Sequence, residues 1–214
     1  MLLYRSVYGP GEAEEIINRS RFIAHVSPVS NDGEAREFIS DIKEKYKDAT
    51  HNVPAFVVGK KQELQWASDD GEPQGTSGPP VLKLITDSQL TNIVVVVTRY
   101  FGGVKLGTGG LVRAYSSVAG QAIRDAGICT VNSVVRLRCR IDYSYLEKIK
   151  SLERDGNFST GSVEYTDKVI IELIGDAEKS GDLKKMLADV TSGRGEVLDS
   201  TEGEHRILIC SPAR

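Results

Sequence analysis

Cysteine is scarce in this chain: Cys129, Cys139 and Cys210 are the only three in 214 residues, and none forms a C-x-x-C pair. That excludes a disulfide framework and the spaced thiolates of a structural zinc site, and it fits a reducing compartment. Long apolar runs are also missing, and none approaches the ~20 residues of a membrane span. The opening Met1-Leu-Leu-Tyr-Arg-Ser-Val-Tyr8 lacks the charged start and long apolar centre of a secretory signal, so a cytoplasmic protein without membrane contact is expected. Nor does one sign of charge dominate: 27 Lys and Arg stand against 30 Asp and Glu, a net −3. A globally basic nucleic-acid coat is excluded, and any positive patch has to be assembled by folding. Internal repeats and low-complexity tracts are absent as well.

Glycine, by contrast, is plentiful, and five of the 21 glycines fall in the stretch from Asn92 to Tyr115. It opens with Ile93 to Val97, a β-branched run that predicts a strand buried on both faces. Gly102, Gly103, Gly107, Gly109 and Gly110 follow, and Leu111 begins a predicted helix that runs to about Gly127. A strand, a glycine turn and a helix start bring unpaired amides and the positive end of a helix dipole to one spot. Arg99, Lys105 and Arg113 add fixed charge around it, the makings of an anion or carboxylate site. The alternative is a tight turn for close helix–strand packing, with Arg99 and Arg113 solvated or paired to Asp69, Asp70 or Glu72. The order of residues is neither a Walker A loop nor a G-x-G-x-x-G dinucleotide fingerprint.

The rest of the chain reads as α+β. A strand is predicted from Leu2 to Tyr8, and Glu12 to Ile17 fits a strand or a short helix. Arg21 to Pro28 alternates as a strand with one wetter face carrying His25. Asn31 or Asp32 caps a helix whose Ala35, Phe38, Ile39, Ile42 and Tyr46 recur at helical spacing. Asn52 to Gly59 reads as a strand in which Pro54 disfavours a central position, hairpinned to Gln62–Ser68. A polar loop from Asp69 to Pro80 leads to a helix capped by Thr76 or Ser77. A boundary at Thr130–Ser133 separates domain 1–131 from domain 132–214, and the second reads β-α-β-β-α-β, the ferredoxin-like order. Its Arg136, Arg138 and Arg140 share one strand face, which suits an RNA-binding sheet or a plain solvent-facing one.

Several polar residues could carry chemistry. Asp69, Asp70 and Glu72 offer clustered carboxylates for a cation, or simply a solvated acidic turn. The spacing matches no metal motif. His51 is either a general base or a hydrogen-bonded structural residue. No nucleophilic triad is visible, and no cofactor is called for.

The motifs Arg21-Phe-Ile-Ala24, Asp48-Ala-Thr-His-Asn52, Asp69-Asp-Gly-Glu-Pro-Gln-Gly-Thr-Ser-Gly-Pro-Pro80 and Thr98 to Tyr115 resemble the IMPACT/YigZ family. One departure is Val53-Pro54, where the family often has Cys and a small residue, which argues against a thiol role there. The resemblance implies a ribosomal-protein-S5-domain-2-like first domain before the ferredoxin-like one. It implies a link to translation or its regulation, since eukaryotic relatives compete for a protein that activates a stress-responsive initiation-factor kinase. The expected function is a non-enzymatic, regulatory binding protein whose partner is a protein or structured RNA of the translation apparatus. Its expected contacts are His51, Asp69, Asp70, Glu72, Thr76, Arg99, Tyr100, Gly102, Gly103, Lys105, Gly107, Thr108, Gly109, Gly110 and Arg113. The alternative is a phosphate- or nucleotide-binding enzyme of the kind seen in small-molecule kinases.

Overall fold

The structure is a computed structural model that describes residues 1–210. Residues 211–214, the end of the expected second domain, lie outside the described residues. The elements run β1 (Leu2–Val7), β2 (Gly11–Ile17), β3 (Ser20–Pro28), α1 (Asp32–Lys45), β4 (His51–Val58), β5 (Leu64–Ala67), α2 (Gly78–Asp87), β6 (Ile93–Tyr100) and α3 (Thr108–Asp125). They continue β7 (Ile128–Ile141), α4 (Tyr143–Leu152), β8 (Phe158–Tyr165), β9 (Val169–Asp176), α5 (Ser180–Thr191) and β10 (Glu196–Cys210). Among the described residues two compact units result, one of Tyr4–Thr130 with residues 206–210, the other of Met1–Leu3 with Val131–His205. A cut at 131/132 assigns both chain ends differently. Five α-helices and two sheets among the described residues make this a two-domain α+β chain, as expected. No helix among them is long and apolar enough to cross a membrane.

The first unit is built on the antiparallel sheet β2-β3-β6-β4-β5. Because strand side chains alternate, Val95, Val97 and Arg99 of β6 share one face while Val94, Val96 and Thr98 share the other. Val95 and Val97 pack with Phe22, Ala24, Val53 and Ala55 under the apolar stripes of α2 and α3. Val94 and Val96 pack with Phe56, Ala35, Ile39 and Ile42 of α1. Strand β6 is thus buried on both sides, as its β-branched run predicts.

Several local expectations need correction. Residues 12–17, open between strand and helix, belong to strand β2. The supposedly wetter face of β3 is covered: His25 is 6% exposed and its ring stacks on Tyr46. Pro54 sits in an interior strand after all. Its carbonyl accepts from Ser68 N, so its missing N–H faces the end of β5, where the ladder gives out. Helix α3 starts at Thr108 rather than Leu111, because Gly107, at φ 73, turns the chain into it. The boundary placed at 130–133 lies within β7, where the two compact units divide between Thr130 and Val131, and buried Cys129 and Val131 alternate there with half-buried Thr130 and Asn132. Strand β10 is long, running from Glu196 to Cys210.

The second unit follows the expected order β7-α4-β8-β9-α5-β10. Strand β7 pairs with β9 from Val134 to Ile141, β8 pairs with β9, and β10 pairs with β7. Leu137, Cys139, Ile141, Ile171 and Leu173 of this sheet bury against Leu146, Ile149, Leu183 and Leu187. Burial in this core pushes the Cys139 thiol up to about 11, so it stays protonated and unreactive.

Candidate functional site

The acidic loop between β5 and α2 is held by its own aspartates. One Asp69 oxygen accepts from Ser77 N at 3.0 Å, Ser77 Oγ at 2.7 Å and Gly78 N at 2.9 Å, and the other from Gly75 N at 2.7 Å. Asp69 therefore caps α2 from a distance, and Ser77 makes no side-chain cap of its own. Burial alone would raise its pKa, but these donors together bring it below the ordinary value. Asp70, in the left-handed region at φ 47, pairs with Lys43 Nζ at 2.6 Å and accepts from Asn52 N at 2.7 Å. Its carbonyl lies 2.8 Å from His51 Nδ1, and since a carbonyl only accepts, Nδ1 carries the proton. Neither aspartate reaches the glycine loop.

Glu72 does. The β4–β6 register sets His51 opposite Arg99, and the β3–β6 register sets Phe22 opposite Arg99, so three strands align these side chains on the α3 side of the sheet. Arg99 Nη1 donates to Glu72 Oε1 at 2.6 Å, Nη2 donates to Ser20 Oγ at 3.2 Å, and the guanidinium lies over the rings of Phe22 and Phe101. From α3, Tyr115 Oη donates to the same Glu72 oxygen at 2.7 Å. Burial, reinforced by that bond, pushes the Tyr115 phenol far up, so it remains a donor. His51 Nε2 stands 3.8 Å from the other Glu72 oxygen.

This network is one wall of a cleft of about 440 Å³. Phe101, Leu106 and Leu111 make it apolar, and Lys105, Gly107 and Thr108 lie at the start of α3. Among the expected contacts the cleft brings together His51, Glu72, Arg99, Lys105, Gly107 and Thr108. Of the two readings of Arg99, the paired one holds: Glu72 neutralises it out of solvent, so it is not a free cation. Thr76 is no free donor either, since its hydroxyl is spent on Pro73 O at 2.6 Å. Exposed Arg113 does not line the cleft, and neither does Tyr100, whose hydroxyl donates to Asp48 at 2.9 Å. Gly102 serves packing: a β-carbon there would overlap the Arg19 carbonyl oxygen. Gly103 and Gly109 face open space, whereas Gly110 lies against Leu106.

Tyr115 and Ser20 join this network although neither is among the contacts expected from the sequence. Tyr115 carried a usable signal, because a phenol on the buried stripe of a helix needs a polar partner. The arginine face of β7 is matched by carboxylates: Arg136 with Glu172, Arg138 with Glu164 and Arg140 with Glu196. No three His, Cys, Asp or Glu among the described residues are placed to hold a metal ion.

Comparison with known proteins adds the lineage. The Impact N-terminal domain matches residues 18–123. The chain is 37% identical over 201 residues to the IMPACT family member YvyE of Bacillus subtilis (strain 168), covering 94% of this chain and 91% of that one. It is 31% identical over 191 residues to the IMPACT family member YigZ of Escherichia coli (strain K12), covering 88% and 94%. A crystal structure of a hypothetical protein, 30% identical, superposes with a TM-score of 0.60 over 92% of this chain and 97% of that chain. Identity at this level over nearly the whole length shows that the chain belongs to the IMPACT family.

Proposed function

We propose that this chain is a cytoplasmic, non-enzymatic binding protein that regulates translation by docking a protein partner on the glycine-loop face of its first unit. The observation that carries the reading is the state of the polar groups around the cleft. Asp69, Asp70 and Arg99 are consumed by internal partners, whereas Lys105 and the first amides of α3 face outward beside exposed Phe101 and Val104. Exposed aromatic and aliphatic groups next to a cation and free amides suit recognition of another surface. The link to translation rests on the family resemblance. A protein partner is favoured over RNA because the arginines of β7 are each paired to a carboxylate.

Affinity capture from lysate tests this, with the wild-type chain compared with Phe101→Ala/Lys105→Glu. Wild type should retain a protein of the translation apparatus or of its control, and the double variant should lose it. A retained set without any such component, or one the variant leaves unchanged, overturns the reading. A stability gain with a nucleotide and Mg²⁺ that Lys105→Ala abolishes would instead establish the nucleotide-binding alternative.

A further inference from the structure

The wall of the cleft holds two hydrogen-bond acceptors that face each other with no donor between them. His51 Nδ1 gives its proton to the Asp70 carbonyl at 2.8 Å, which leaves Nε2 of the neutral ring as a lone pair. The ring is fixed in that orientation. Asp70 is tied to Lys43 Nζ and Asn52 N, and Gly71 lies so close that a β-carbon there would stand 3.5 Å from Nδ1. Nε2 is turned instead to Glu72 Oε2 at 3.8 Å, too far for a direct hydrogen bond. Glu72 Oε1 accepts twice, from Arg99 Nη1 and Tyr115 Oη, whereas Oε2 takes no donor among the described residues. A carboxylate whose side chain is only 3% exposed normally finds a donor for each oxygen. His51 and Glu72 both line the cleft of about 440 Å³, so the two acceptors open into a space that holds a side chain.

Charge and lining decide the class of the missing donor. Glu72 and Arg99 cancel, and exposed Lys105 adds a positive charge, so a further cation is disfavoured. An anion would face the free Glu72 oxygen. A neutral group with two N–H bonds can give one to each acceptor, and the side chains that bear such a group are the carboxamides of asparagine and glutamine. The carboxamide oxygen needs a donor in turn. Thr50 lines the same cleft, and its hydroxyl accepts from Phe101 N at 3.0 Å while keeping its own proton to give. Pro73, Leu106 and Leu111 supply apolar wall for the methylenes. We propose that the cleft captures a carboxamide side chain of the protein partner, its NH₂ shared between His51 Nε2 and Glu72 Oε2. The inference rests on the reading that this face docks a protein.

The test is a titration of the ¹⁵N-labelled full chain with three blocked peptides, alike except for glutamine, methionine or lysine between two leucines. It is run at about pH 8, above the ordinary histidine value, and follows the His51 ring nitrogens directly. The free protein should show Nδ1 protonated and Nε2 bare, and the glutamine peptide should move the Nε2 resonance saturably. The methionine peptide, similar in length but without side-chain N–H groups, should bind about tenfold more weakly, the scale of two net hydrogen bonds. The lysine peptide should do no better than methionine. His51→Phe keeps a ring without an acceptor and should bind the glutamine and methionine peptides alike. The peptide comparison itself is made on wild type, so it stands whether or not that variant folds. Equal binding of glutamine and methionine, or tighter binding of lysine, overturns the proposal. So does a proton on Nε2 in the free protein, since His51 would then already be the donor to Glu72. A titration silent with all three peptides overturns it too, leaving water as the bridge. Partner capture that depends on Phe101 and Lys105 without a preference for glutamine would sink this inference and leave the proposed function standing. Glutamine-selective binding without capture of a translation protein would do the reverse.

Discussion

Arg99 Nη1 and Glu72 Oε1 lie 2.6 Å apart, with side chains 6% and 3% exposed, and Tyr115 completes the same carboxylate. Removing one partner of a buried ion pair strands the other charge, which typically costs about 3–5 kcal/mol. Glu72→Ala and Arg99→Ala are each expected to lower stability by about that amount in urea unfolding of the full chain. The combination Glu72→Leu/Arg99→Leu should cost clearly less than the two single changes added together, because no stranded charge remains. Single losses below about 1 kcal/mol would mean that water reaches the pair.

That pair also shows how far the sequence could be read. The β-branched run of β6, the apolar stripe of α3 and the polar loop around Asp69 all declare themselves through local pattern, and so does most of the fold. What joins Glu72 to Arg99 is register, His51 against Arg99 and Phe22 against Arg99, and register is set by packing across strands distant in sequence. The spacing of carboxylates within one loop could not say that Asp70 would turn to Lys43 and Glu72 to Arg99. The run of β7 through the boundary at 130–133 is illegible for a similar reason, because polar residues such as Asn132 and Ser133 carry no strand signal until the distant chain start meets them, with Ser133 N donating to Met1 O.

Asp69 offers a test through acidity. Its carboxylate gathers four donors in the native loop, and its folded pKa lies below the ordinary value of 3.8. Folding therefore favours the ionised form. That contribution is fully present above the unfolded value and fades as pH falls through the folded one. Asp69→Asn should be less stable than wild type near neutrality by about 1–2 kcal/mol, the scale of a lost helix cap. The gap should close below about pH 3 in urea midpoints taken across the acid range. A gap that persists there would show that shape rather than charge holds the loop.

Two glycines of the loop should respond differently to alanine. At Gly102 the added carbon meets the Arg19 backbone, which cannot swing away as a side chain could. At Gly107 it meets open space but must sit at φ 73, a penalty of about 1–2 kcal/mol. Gly102→Ala should therefore be the more destabilising in thermal melts, while Gly107→Ala should leave the sheet intact. The reverse order would mean that the β2–β3 turn yields readily.

The first unit also has a proton-linked element remote from the cleft. His25 is buried beneath α1, with Nε2 3.0 Å from Tyr46 Oη and Nδ1 3.2 Å from Glu12. Burial draws its pKa below 6.5, Glu12 pulls the other way, and Lys45 adds to the lowering. The native ring thus stays neutral at a pH where the unfolded chain already binds a proton. Stability must then decline as pH falls below the unfolded value and level off below the folded one. Urea midpoints measured from about pH 7.5 to about pH 5 should drop for wild type and drop less for His25→Gln, which can still meet Tyr46 but takes up no proton. A steeper decline in the variant would mean that attraction to Glu12 outweighs burial, and that the histidine is charged in the fold.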